Sequence, residues 1–302
     1  MKKLLIGCMA GLAAILSLVG CEQDKPFYGG PNYLMFSDTL YRYPVQETNE
    51  VFNVPVSATV PAGYDRTLAV EIIDKESNAV EGKHYKLLSN TVTIKAGELA
   101  ANIEVQGMYD NIGIADSLGF ALRLVIPESE QWDLYGTEAK VVMQKSCPFD
   151  INEFSGWCLV TSTFLQSDYM SQMTPQGKRL IKSSVAEDEE NTVVLHGLYL
   201  DGYDTRISFN RKNLLEPLVE MDKQVCGTTG EIFGNIIGDG NFQMFQSANY
   251  ISYYNTCQKF VFQYVTLGAD MKNGSFNALG TYINLIEWVS EAEAEKLKEQ
   301  GL

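Results

Sequence analysis

The sequence has few of the residues and motifs on which most enzymes depend. Only two histidines, His84 and His196, occur among its 302 residues, and an isolated histidine in a strand is more often a structural or surface residue than a catalyst. The chain contains no Gly-x-Ser-x-Gly, His-Glu-x-x-His, Gly-x-x-x-x-Gly-Lys or Gly-x-Gly-x-x-Gly motif. These absences argue against a serine hydrolase elbow, a zinc protease helix and the common nucleotide-binding loops.

Positive charge is also scarce. The chain carries 23 basic and 38 acidic residues, a net charge of −15 at pH 7, which disfavours binding to nucleic acid or to anionic lipid. Hydrophobic residues make up 45% of the sequence, too many for a disordered chain. Beyond the N-terminus no apolar run is long enough to span a bilayer.

The N-terminus has the pattern of an export signal. Lys2 and Lys3 precede an apolar stretch over 4–19, which is short for a membrane span and is followed by acidic residues. Leu18-Val-Gly-Cys21 resembles a bacterial lipobox, which implies cleavage after residue 20 and acylation of Cys21. The alternatives are an ordinary secretory signal or a single membrane-spanning helix.

Residues 21–31 form a short polar tether that is rich in proline and glycine. Glu22 and Asp24, directly behind the cysteine, resemble the surface-export signals of some Gram-negative outer-membrane lipoproteins. This resemblance implies a lipid-anchored envelope protein that faces outward from the outer membrane.

Residues 32–146 are predicted to form an antiparallel β-sandwich. Short alternating segments rich in β-branched residues are separated by turn residues, without helical periodicity. The predicted strands are 50–58, 67–73, 91–94, 102–105, 120–126 and 139–143.

Part of this segment resembles a Calx-beta-type Ig-like domain. Gly82-Lys-His-Tyr85 matches the Gly-x-x-Tyr corner of that family, and Ala96-Gly-Glu98 matches the end of the strand that follows. Some members bind calcium through clustered acids. Here His84 stands where an acid often precedes the tyrosine, and a lone Asp110 supplies few of the 6–8 oxygen ligands that calcium takes. No metal or other cofactor is therefore expected.

Residues 147–302 are predicted to form a second antiparallel β domain, after Pro148 blocks continuation of the last sandwich strand. Six to nine apolar runs with tight turns favour a meander that closes into a barrel or forms a second sandwich. The segment 152–157 is similar to the start of lipocalin-like barrels, where Gly-x-Trp begins the first strand, although Gly156 and Trp157 are adjacent here. This resemblance implies a lipid-carrying barrel with an apolar cavity. Ser290 and Glu293 form a capping box for a short helix, which is expected to be a solvated tail.

Six cysteines are present, of which Cys8 would leave with the signal and Cys21 would be acylated. The other four could form two disulfides in three connectivities, or remain as buried thiols. Zinc binding is disfavoured because no pair has the C-x-x-C spacing. These four are Cys147, Cys158, Cys226 and Cys257.

Paired carboxylates need no histidine, so a two-acid glycoside hydrolase stays open as a hypothesis. Asp201 and Asp204 flank a predicted turn, and residues 187–190 are all acidic. A run of acids is usually a solvated loop rather than a cleft.

Aromatic residues are dense in the second domain. Phe260, Phe262 and Tyr264 would share one face of a strand, and we expect that face to be core. Tyrosine is amphipathic, so an exposed subset could stack on sugar rings or on a protein partner. The candidate ligand-binding residues are Tyr250, Tyr253, Tyr254, Trp157 and Trp288.

The sequence thus predicts a two-domain, all-β, lipid-anchored protein that resembles accessory surface lipoproteins of Gram-negative bacteria. That resemblance implies a non-catalytic binding protein for glycan or protein. A structural or adhesive subunit that assembles through sheet edges is the alternative, followed by the two-carboxylate glycoside hydrolase.

Overall fold

The computed structural model describes residues 28–132, 136–170, 173–174 and 176–302. The predicted signal peptide, the lipidation site Cys21 and most of the tether lie outside these residues. The described chain is all-β, as predicted, with nineteen strands. In the described part of the chain, no helix is long and apolar enough to cross a membrane.

Nine strands form the N-terminal sandwich. They are Leu34–Phe36 (β1), Leu40–Val45 (β2), Val51–Ala58 (β3), Arg66–Ile72 (β4), Tyr85–Leu87 (β5), Thr91–Ile94 (β6), Ala100–Gly107 (β7), Leu118–Val125 (β8) and Glu138–Lys145 (β9). One sheet has the order β1-β3-β7-β5 and the other β2-β9-β8-β4-β6. Strands β2 and β9 pair in parallel, and the other strand pairs are antiparallel.

The sandwich core comes from alternate residues of both sheets, which form one buried cluster between residues 34 and 143. Tyr85 is fully buried and stacks on Phe120 of the opposite sheet, with ring centroids 3.9 Å apart. Gly82 has a φ of 78°, a left-handed conformation that glycine adopts without strain. The Gly-x-x-Tyr corner therefore turns the chain so that the tyrosine enters the core.

Ten strands make up the C-terminal part of the described chain. They are Gly156–Ser162 (β10), Lys178–Val185 (β11), Thr192–His196 (β12), Asp204–Asn210 (β13), Leu218–Glu220 (β14), Gln224–Thr228 (β15), Asn241–Gln246 (β16), Tyr253–Asn255 (β17), Phe260–Asp270 (β18) and Phe276–Trp288 (β19). Strands β10 to β14 pair in succession, β14 pairs with β17, and β18 pairs with both β17 and β19. Because β19 also pairs with β10, eight antiparallel strands close into a barrel, and the β15–β16 hairpin adds to β18 beside β17.

The barrel interior is filled by side chains. Val160, Val193 and Val261 are fully buried members of the cluster that occupies it. Buried polar groups pair with each other, as when the Tyr199 hydroxyl donates to Asn284 Oδ1 at 3.0 Å. The lipid-carrying interpretation required an apolar cavity, and the packing of this interior gives it no support.

Two α-helices accompany the barrel, Thr229–Phe233 (α1) and Glu291–Glu299 (α2). The predicted Ser290 cap is present, because its side chain accepts from the Glu293 N–H. The expectation of a solvated tail is wrong. Ala294 is fully buried, and the Lys298 ammonium lies 4.0 Å from the centre of the Trp157 ring, so α2 packs on the barrel wall.

The sandwich and the barrel meet at residues 145–149. The sandwich core and the barrel core are separate clusters. A disulfide between Cys147 and Cys257 fastens the connecting segment to the loop that follows β17. Cys158 and Cys226 are buried free thiols. A single disulfide therefore lies at the junction, among the possibilities that the cysteine count left open.

Candidate functional site

An aromatic row lies on the outer face of the barrel. The interior-facing residues of β18 are Val261, Gln263 and Val265, which are buried. The alternate residues therefore point outward, so the expectation that they form core is wrong. With two tyrosines from the preceding segment they form the outer aromatic row, which consists of Tyr250, Tyr253, Phe260, Phe262 and Tyr264.

The two exposed rings of this row each rest on a half-buried ring. Tyr250 stacks on Tyr264, with centroids 4.8 Å apart and planes inclined by 20°. Tyr253 stacks on Phe262 at 5.5 Å and 22°. Tyr250 and Tyr253 are 53% and 41% exposed. Stacking fixes the plane of each tyrosine while one face stays open, so a ligand ring would meet a surface that is already ordered.

Two hydrogen bonds hold the segment that carries Tyr250. The Ser247 N–H donates to the Tyr264 carbonyl at 3.0 Å, and the Tyr264 N–H donates to Ser252 Oγ at 2.9 Å. The Ser252 side chain is buried. The segment is thus attached at both sides of Tyr250, which positions that ring over β18.

The apolar surface continues onto β19. Tyr264 lies opposite Ile283, and Phe262 lies opposite Leu285. Directly opposed residues in an antiparallel pair share a face, and Ile283 and Leu285 are both half-buried. Glu287, opposite Phe260, ends this surface with a carboxylate. The row is thus an open strip on a sheet rather than a closed pocket.

The other three predicted binding residues lie elsewhere. Tyr254 is 5% exposed and packs edge-on against the Phe209 ring. Trp288 is 8% exposed, and its indole N–H donates to Ser183 Oγ at 2.8 Å. Trp157 is half-buried on the outer face, with Lys298 over its ring. Of the five, only Tyr250 and Tyr253 belong to the outer aromatic row.

Three neighbouring strands also bring Ser184, His196 and Asp204 together. Ser184 Oγ is 2.9 Å from His196 Nε2, and His196 Nδ1 is 3.1 Å from Asp204 Oδ1, which is the order of a serine hydrolase triad. Sequence reasoning missed this group of three side chains because it depends on the register of β11, β12 and β13. All three residues lie on the outside of paired strands, whose N–H groups are used in the ladder rather than directed at an oxyanion.

Several of the acidic residues considered for glycoside hydrolysis form surface ion pairs. Asp201 pairs with Arg179, and Arg206 pairs with Asp188 and Glu189 of the acidic loop. The hydrogen bond from Arg206 lowers the pKa of Asp188. A general acid in a glycosidase needs a raised pKa, so Asp188 does not have the electrostatics of that role.

The histidine considered beside the predicted calcium position has a structural partner. His84 is buried, and its Nδ1 accepts from the Val80 N–H at 2.9 Å. Within the described residues, no group of three or more His, Cys, Asp or Glu side chains could hold a metal ion. No candidate metal centre can therefore be named in this part of the chain.

Comparison with known proteins gives one family match. A family model described as a domain of unknown function (DUF4984) matches residues 134–300, a range that includes the last sandwich strand and the whole barrel. No curated protein matches the sequence.

Solved structures that resemble the chain do so at low identity. The apo-form Calx CBD1 domain is 16% identical with a TM-score of 0.32, and the match covers 38% of this chain and 98% of that one. A protein of unknown function from Bacteroides ovatus is 12% identical with a TM-score of 0.34, covering 84% and 89%. An auxiliary nutrient binding protein from Bacteroides thetaiotaomicron is 14% identical with a TM-score of 0.30, covering 83% and 91%. Each description is that of the solved structure and not of this chain.

Proposed function

We propose that this chain, which belongs to the DUF4984 family of domains of unknown function, is a non-catalytic carbohydrate-binding protein of the cell envelope. The observation that carries the proposal is the pair of exposed tyrosines, each held flat by a ring beneath it. The C–H face of a pyranose packs on such a ring, while the phenol hydroxyl can bond to a sugar hydroxyl.

A neutral glycan chain fits the outer aromatic row better than a compact or charged ligand. The row is open along the strand, so it can accept successive sugar units. The chain is strongly acidic, and Glu287 ends the strip, which disfavours a polyanion. Binding therefore depends on apolar stacking and on hydroxyl contacts rather than on charge.

The two alternative functions have less support. Both edges of one sandwich sheet, β1 and β5, are three residues long, and short edge strands are a device against edge-to-edge assembly. That geometry disfavours an adhesive subunit. The exposed ion pairs of the acidic residues likewise disfavour the two-carboxylate hydrolase.

The anchor and the location belong to the same proposal. Cleavage after residue 20 and acylation of Cys21 would tether the protein to the outer membrane, facing outward, where glycans are encountered. Replacing Cys21 with alanine should abolish labelling by a fatty-acid probe and release the protein from the membrane fraction. Retention of the label in the Cys21→Ala variant would contradict the anchor.

The binding site is tested by native mass spectrometry of the full mature chain against pooled neutral oligosaccharides. We expect an adduct whose affinity falls at least tenfold, about 1.4 kcal/mol, in Tyr253→Ala and in Tyr250→Ala. Tyr169→Ala is the matched control, because Tyr169 is 44% exposed on the same barrel but outside the row. An adduct that survives both row substitutions would place the glycan elsewhere. The absence of any adduct would contradict glycan binding and would favour a protein as the ligand of the outer aromatic row.

A further inference from the structure

A cavity lies where the sandwich and the barrel meet. It has a volume of about 300 Å³, at the lower end of the range for small-molecule sites. The ends of β2 and β9 form one wall, the disulfide Cys147–Cys257 a second, and the β13–β14 loop with β17 a third. It is separate from the outer aromatic row, none of whose residues lines it.

The charged residues that line this cavity are all basic. Lys145 and Arg211 line it, whereas none of its described lining residues is acidic, although acids outnumber bases in the chain. The Lys145 ammonium is partly engaged, since it donates to the Tyr109 carbonyl at 3.2 Å. Arg211 is therefore the main cation available to a ligand.

The Arg211 guanidinium is ordered but has no carboxylate partner among the described residues. Its guanidinium lies over the Phe149 ring, 4.7 Å from the centre, which fixes the plane and leaves the N–H edges open. Within the described chain, the acidic loop 187–190 borders Arg211 on its other side, but no carboxylate lies within ion-pair distance of it. Asp188 and Glu189 of that loop pair with Arg206 instead.

The rest of the lining supplies two further kinds of contact. Amide and hydroxyl side chains project from the sandwich wall and from the end of β17, and apolar side chains come from the β13–β14 loop. Such a lining suits a ligand with several hydroxyls and one apolar face. The polar residues are Gln46, Gln144, Ser146, Asn255 and Thr256, and the apolar residues include Leu214 and Leu215.

We propose that this cavity binds a small hydroxylated carboxylate of the sugar-acid class. The carboxylate would take two parallel hydrogen bonds from the Arg211 fork, the hydroxyls would bond to the amide and hydroxyl side chains, and the ring would lie against the leucines. The site does not depend on the outer aromatic row, so the protein would bind an acidic sugar at the junction and a neutral glycan on the barrel wall.

The test is calorimetric titration of the full mature chain with D-galacturonate, and with D-galactose as the matched ligand that has a hydroxymethyl group in place of the carboxylate. We expect galacturonate to bind with a Kd of about 1 mM or tighter and galactose at least tenfold more weakly. Arg211→Gln should weaken galacturonate at least tenfold. Arg211→Lys should lie between, because it keeps the charge and loses the fork.

A control variant shows whether the loss of binding is specific to Arg211. Arg123→Gln removes an exposed arginine that pairs with Glu138 on the sandwich and should leave galacturonate binding unchanged. Equal affinity for galactose and galacturonate, full binding by Arg211→Gln, or no binding of galacturonate at millimolar concentrations would each overturn the proposal.

Discussion

We expect the Tyr85 ring to contribute strongly to the stability of the sandwich core. It is fully buried against Phe120, and removal of a large buried ring leaves a cavity that neighbouring side chains fill only in part. We expect Tyr85→Ala to lower the free energy of unfolding by about 3–5 kcal/mol, measured by urea denaturation. Tyr64→Ala is the control, since Tyr64 is 65% exposed. A similar loss in both variants would contradict a specific role for the stacked pair.

The two buried thiols should resist modification. Burial raises the pKa of the Cys158 thiol to about 12 and also raises the pKa of Cys226. At pH 8 the reactive thiolate of Cys158 is then about one part in ten thousand. We expect no iodoacetamide adduct at either residue in the folded protein and full labelling in urea, read by peptide mapping.

The same shift fixes the direction of a pH effect. Because the folded thiol has the higher pKa, its contribution to stability is complete below the ordinary thiol value of 9.0 and is lost as the pH rises toward about 12. The free energy of unfolding should therefore fall above pH 9.

Labelling of the folded protein by iodoacetamide at the rate of an exposed thiol would contradict the first of these two predictions, because it would show that the two thiols are accessible.

Single residues also show where sequence reasoning succeeds and where it ends. The Gly82–Tyr85 corner could be predicted, because a left-handed glycine and a core tyrosine at fixed spacing form a local motif. The outer aromatic row could not. Alternation places Phe260, Phe262 and Tyr264 on one face, but only the closure of the barrel decides that the face with Gln263 is the interior.

At the scale of elements, the packing of α2 gives a prediction with a control on the same helix. Ala294 is fully buried, whereas Ala292 is exposed. A buried carboxylate is costly, so we expect Ala294→Glu to release α2 from the barrel and lower stability by about 1–3 kcal/mol. Ala292→Glu should have little effect.

Hydrogen exchange and fluorescence measure that release. The amides of α2 should lose protection in Ala294→Glu, and the emission of Trp157 should change because Lys298 no longer covers its ring. Unchanged protection in Ala294→Glu would mean that the helix is not held by this contact.

Most strands could be predicted from alternation and turn residues, since both are local signals. The run at 91–94 coincides with β6, and those at 67–73 and 139–143 fall within one to two residues of β4 and β9. Helix α1 was missed, although Thr228 and Glu231 form a capping box at its N-terminus. The register between strands could not be predicted from the sequence, and the Ser184–His196–Asp204 group depends on that register.

At the scale of the whole molecule, the junction could be foreseen only in part. Pro148 marked the end of the sandwich, but four cysteines allow several pairings, and only the fold brings Cys147 beside Cys257. The cavity next to that disulfide is made of segments far apart in sequence, so no local pattern predicts it. The candidate sites are thus products of tertiary structure, whereas the fold class is visible in the sequence.

The disulfide should stabilise the barrel and not the sandwich. It closes a loop of 110 residues that lies within the barrel, and a cross-link of that kind typically contributes about 2–4 kcal/mol. The sandwich core ends before residue 147. We therefore expect the double variant Cys147→Ala, Cys257→Ala to reduce protection of barrel amides from hydrogen exchange by about 30- to 1,000-fold where exchange requires global opening, while sandwich amides keep theirs. Because the sandwich serves as the internal reference, an equal loss in both parts would show that they unfold as one cooperative unit, and no loss in either would show that packing alone holds the barrel closed.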